Sequence, residues 1–87
     1  MTYGDSMSDE PIVMYGAEWC GDCRRAKSWL TRNNVPFTYV DVENDDEARD
    51  RAIEISGRKQ IPVVVLPGGE FLVEPSDSEL AAAIKVD

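Results

Sequence analysis

Trp19-Cys20-Gly21-Asp22-Cys23 is the stretch on which the fold turns. It sets a Cys-x-x-Cys pair between the apolar run Ile12-Val13-Met14-Tyr15 and Arg24–Leu30, which carries a helical pattern. A short apolar run reads as a buried strand, and the spacing of Ala26, Trp29 and Leu30 reads as the core face of a helix. Cys20 then stands at a helix start, where unpaired backbone N–H groups and the helix dipole favour an anion. The thiolate is the reactive form of cysteine, so a dithiol in this place points to thiol–disulfide exchange.

The bulk properties narrow the field. Eighty-seven residues suit one small domain. Seventeen acidic against nine basic residues give a net charge of −8, which argues against nucleic acid or an anionic membrane as partner. No apolar stretch approaches the roughly 18 residues of a membrane span and no signal-peptide pattern opens the chain, so a cytoplasmic protein is expected. The two cysteines are the only ones and lie too close in sequence to staple distant parts of a fold. In a reducing compartment such a pair is catalytic, redox-sensing or metal-binding. With no histidine in the chain, a Cys–His nucleophile pair and a mixed Cys/His zinc site are both excluded within one subunit. Two thiolates are half of a four-ligand zinc site, so no bound metal is expected.

Working outward, residues 1–11 are polar and aperiodic and read as a flexible tail, leaving 12–87 as the domain. Gly16–Trp19 is the loop that delivers the cysteines, and the helix after them runs to about Asn33, with Pro36 precluding continuation. Phe37–Val42 alternates and is β-rich, which predicts the second strand. Asn44-Asp45-Asp46-Glu47 starts a second helix, which continues through Ile55 and stops at Ser56-Gly57. The run Val63–Leu66 suits a strand buried on both faces, Pro67-Gly68-Gly69 a turn, and Phe71–Val73 the return strand. Ser76 caps the last helix, with Glu79 at the capping-box position. The order βαβαββα predicts an α/β domain, a four-stranded mixed sheet with three helices, in the thioredoxin-like arrangement.

Cys20 is the expected nucleophile and Cys23, one helical turn on and more buried, the resolving thiol. Arg24 lies four residues after Cys20 on roughly the same helical face and favours its thiolate, whereas Asp22 between the cysteines opposes it by like charge. Ile61-Pro62 precedes the buried strand; a cis bond there would turn the Ile61 backbone toward the dithiol, and a trans bond would make Pro62 an ordinary strand start. Arg58 and Lys59 just upstream border the same cleft and could grip a carboxylate. Trp19 and Tyr15 floor the cleft and the core.

Trp19-Cys20-Gly21-Asp22-Cys23-Arg24, the Ile61-Pro62 step and Pro75-Ser76-Asp77 resemble the glutaredoxin family, from Ile12 through the last helix. Within it the chain looks most like the mycoredoxins, bacterial glutaredoxin-like proteins that use mycothiol. The resemblance implies that Pro62 is a cis-proline, that Ser76 and Asp77 border the thiol-binding groove, and that the helix N-terminus helps hold the thiol's carboxylate. Glutathione-using members usually carry an aromatic residue where Asp22 stands and a Gly-Gly just before the last helix. Here Glu74-Pro75 fills that place and Gly68-Gly69 lies a strand earlier, so mycothiol is expected over glutathione.

The implied activity is reduction of protein–small-thiol mixed disulfides or protein disulfides, with no tightly bound cofactor and a low-molecular-weight thiol as reductant. The expected partners are thiolated or disulfide-containing proteins and a thiol reductase system, and the expected state is a monomer. Three other readings stand beside it. One is an electron donor coupled to thioredoxin reductase, for example toward ribonucleotide reductase; another is an iron–sulfur carrier, in which two subunits share a cluster. A redox-sensing interaction module is a third.

Overall fold

The structure, a computed structural model, describes residues 12–84. The expected tail over 1–11 and the last three residues of the expected domain lie outside the described residues. The elements run β1 (Ile12–Gly16), α1 (Gly21–Arg32), β2 (Phe37–Asp41), α2 (Asp46–Ser56), β3 (Val63–Val65), β4 (Phe71–Val73) and α3 (Asp77–Ile84). They form one four-stranded mixed sheet in the order β2-β1-β3-β4. β1 pairs parallel to β2 and antiparallel to β3, and β3 pairs antiparallel to β4. The expected thioredoxin-like βαβαββα fold is the one observed. Val42 falls just past the end of β2, although its N–H still donates to the Gly16 carbonyl at 2.9 Å.

Strand alternation divides the core into two layers. Met14 pairs with Val64, and both are fully buried against α1 and α3 residues, among them Ala26, Trp29, Leu30 and Leu80. The next pair, Tyr15 and Val63, turns to the opposite face, where Val42, Ala48 and Ala52 close a smaller cluster under α2. β3 therefore contributes one fully buried valine to each layer, which is why its sequence is apolar without alternation.

Local chemistry sets the helix ends. Asp45 caps α2 by accepting from the Ala48 N–H at 3.1 Å, and Gly57 closes it at φ 75°, a left-handed conformation suited to glycine. The Ser76 N–H donates to Glu79 Oε1 at 2.8 Å and the Glu79 N–H to Ser76 Oγ at 3.1 Å, a complete capping box ahead of α3. The Ser76–Glu79 capping box is the one the sequence predicts, and the structure assigns the cap of α2 to Asp45 within the predicted Asn44–Glu47 start.

Candidate active site

β1 ends at Gly16, and the chain turns through Ala17–Trp19 to bring Cys20 to the first position before α1, its N–H bonded to the Ala17 carbonyl at 3.2 Å. Cys20 is extended (φ −85°, ψ 119°) and its carbonyl accepts the Arg24 N–H at 3.0 Å, starting the helix. Its sulfur makes no capping hydrogen bond. Instead the thiol lies half-buried, 4.0 Å from the Ile61 carbonyl oxygen. The Ile61–Pro62 bond is cis, as the resemblance implies, and the Ile61 backbone does face the dithiol.

Cys23 is different in kind. It is 1% exposed and packs in the larger core layer. Its sulfur rests on the end of β1, so close that a Cβ on Gly16 would lie 2.9 Å from it. Burial pushes the Cys23 thiol up to about 12; Cys20 and the charge of Asp22 add to the rise, and a hydrogen bond with the Ala17 backbone opposes it. Both cysteines are free thiols. The pair thus holds one accessible thiol at a helix start and one buried thiol that keeps its proton at neutral pH.

The charged residues divide between the dithiol cleft and other surfaces. Arg24 is exposed, and the next residue, Arg25, makes the contacts. Arg25 Nη1 donates to Asp77 Oδ1 at 2.8 Å, and its Nη2 donates to the Pro75 carbonyl at 3.2 Å and lies 3.5 Å from Asp22 Oδ1. Consecutive helical residues point about 100° apart, so only one of two adjacent arginines can face α3. Lys59 shares a cleft of about 300 Å³ with Trp19, Ile61, Val42, Glu43 and Arg49. Arg58 lines a separate cleft of about 290 Å³ with Phe71, Pro75 and Glu79, so the two cations do not border one site. Trp19 is 65% exposed and forms a wall of the Lys59 cleft rather than part of the core; Tyr15 is half-buried against the α2 layer. Ser76 is engaged in the capping box and Asp77 in the Arg25 pair. Among the described residues, no group of three or more His, Cys, Asp or Glu side chains is poised to hold a metal ion.

Three features of the site escape a reading of the sequence: Arg25, Gly16, and the cluster beside Cys23. In that cluster Lys27 Nζ lies 4.3 Å over the Tyr39 ring and 3.4 Å from Glu18 Oε2. Burial, with the Glu18 carboxylate next, raises the Tyr39 hydroxyl above its ordinary range. For Gly16 a signal was available in its place directly after the predicted first strand, at the start of the loop that delivers the cysteines.

Comparison with known proteins finds the same fold and a family. The glutaredoxin family model matches residues 12–72. A Mycobacterium tuberculosis protein that carries a glutaredoxin name is 31% identical over 74 residues, covering 84% of this chain and 88% of that protein. The crystal structure of a glutaredoxin from Archaeoglobus fulgidus superposes with a TM-score of 0.78 at 24% identity, covering 92% of each chain. The thioredoxin-like protein BC3987 superposes with a TM-score of 0.74 at 30% identity, covering 82% of this chain and 96% of that one.

Proposed function

The chain belongs to the glutaredoxin family of thiol oxidoreductases, and on that premise we propose that it reduces mixed disulfides between proteins and a small thiol, mycothiol rather than glutathione. The observation that carries the reading is the asymmetry of the pair: Cys20 is accessible at a helix start, and Cys23 is 1% exposed with its thiol at about 12. The Cys20 thiolate attacks the small-thiol sulfur of the mixed disulfide. The S–S bond to the protein breaks, and the protein leaves as a thiolate that takes up a proton. A disulfide between Cys20 and the small thiol remains.

Two routes can resolve it. A second small-thiol thiolate can attack the adduct and leave with the first as an oxidised dimer, regenerating Cys20. Alternatively Cys23 loses its proton, attacks Cys20 Sγ and expels the small thiol, leaving a Cys20–Cys23 disulfide that needs two electrons from outside. Only about one part in 10⁵ of a thiol near 12 is ionised at pH 7. Forming the adduct removes the charge of Cys20, but burial, the largest cause, persists. The small-thiol route is therefore favoured.

Three features support mycothiol. Asp22 stands between the cysteines, Glu74-Pro75 precedes α3, and the Asp77 carboxylate is already paired with Arg25. We place the activity in the cytoplasm, on a monomer; no helix among the described residues is long and apolar enough to cross a membrane. The test is to offer the oxidised protein mycothiol, glutathione, or thioredoxin reductase with NADPH, and to follow the tryptophan emission, to which Trp19 beside the dithiol contributes. Fast reduction by mycothiol alone is expected. Preference for the reductase would replace this reading with the electron-donor one.

A further inference from the structure

Arg25 sits between two carboxylates on different elements. Asp22 lies within the dithiol turn of α1, and Asp77 opens α3, 52 residues further on from Arg25. The same guanidinium also bonds the carbonyl of Pro75, a fully buried residue. All three charged side chains are between 39% and 54% exposed, so as ion pairs they add little to stability. Their placement matters more. Asp22 is the one carboxylate inside the Cys-x-x-Cys turn, and it competes with a Cys20 thiolate for the same helix N-terminus. The Nη2 that lies 3.5 Å from Asp22 also donates to the Pro75 carbonyl, and Nη1 donates to Asp77, so the guanidinium that faces Asp22 is fixed from the α3 side.

We propose that Arg25 is a positioning residue for thiol exchange: anchored on Asp77 and the Pro75 carbonyl, it holds the Asp22 carboxylate aside so that a charge within the dithiol turn does not oppose the Cys20 thiolate. The start of α3 thereby governs the reactivity of a cysteine in α1. The role rests on Cys20 as the attacking group, as in the reading above, but not on the identity of the small thiol. A measurement on Cys20 alone thus separates the two.

A double-mutant cycle tests it. Cys20 in the full chain is alkylated with iodoacetamide at pH 7, the label on Cys20 is counted by peptide mass, and circular dichroism confirms that each variant is folded. Asp22→Asn is made in the wild type and beside Arg25→Met. If Arg25 holds Asp22 aside, Asp22→Asn raises the rate by less than about twofold in the wild type and by about fivefold beside Arg25→Met, where the carboxylate is free. Arg25→Lys supplies a charge without the planar fork, and with it Asp22→Asn falls between those factors. Asp77→Asn removes the anchor and leaves Arg25 in place, so the factor rises above the wild-type value. Equal factors for Asp22→Asn in the wild type, Arg25→Met and Asp77→Asn backgrounds would overturn the proposal.

Discussion

The sulfur of Cys23 occupies the space that a side chain on Gly16 would need: a Cβ there would lie 2.9 Å from Sγ and 3.1 Å from the Cys23 Cβ. The strand end and the first turn of α1 are in contact through this pair. The contact keeps Cys23 buried and leaves Cys20 as the accessible thiol of the pair.

Gly16→Ala is therefore expected to cost about 1–3 kcal/mol, as overpacking of a filled core does. It should also push Cys23 from its seat. Urea unfolding gives the cost, and a thiol-specific reagent should label Cys23 faster than in the wild type. An unchanged midpoint and unchanged labelling would mean that the strand end yields.

Alkaline pH should destabilise the fold. The Cys23 thiol rises from an ordinary 9.0 to about 12 on folding, so the folded chain keeps a proton that the unfolded chain has lost between those values. Stability is thus fully present below pH 9 and falls as pH rises toward 12, with a slope approaching about 1.4 kcal/mol per pH unit from this group. Tyr39, also raised, adds a loss of the same sign above pH 10. Denaturant titrations at stepped pH should show Cys23→Ser flattening the fall that begins near pH 9, and Tyr39→Phe only the later part.

Ser76→Ala should lower stability by about 1 kcal/mol, since it leaves the Glu79 N–H without its capping oxygen. Glu79→Gln should cost less, because an amide oxygen can still accept from the Ser76 N–H. Urea midpoints rank the two.

These elements also show what the sequence makes legible. The capping box is readable because its partners lie within one turn, and β3 because an unbroken apolar run in so short a strand means burial on both faces. Cys-x-x-Cys followed by a helical pattern was enough to place the dithiol at a helix start. Arg25 was not readable in its role: the choice between Arg24 and Arg25 depends on how α1 is rotated against α3, and Asp77 is far away in sequence. Arg58 and Lys59 part for a similar reason, since adjacent residues after the close of α2 project to different sides. Trp19 lies on the wall of the Lys59 cleft, outside both core clusters, a placement that its apolar character does not reveal.

In the proposed reaction Cys20 alone attacks the mixed disulfide and Cys23 is a protonated reserve. The reduced protein should be mixed at pH 7 with less than one equivalent of a mycothiol mixed-disulfide peptide. Acid quenching within the first turnover and peptide mass mapping then locate the adduct. Mycothiol is expected on Cys20, in an adduct that persists in Cys23→Ser and is absent from Cys20→Ser. Mycothiol on Cys23, or an adduct formed as fast in Cys20→Ser, would contradict the proposed reaction.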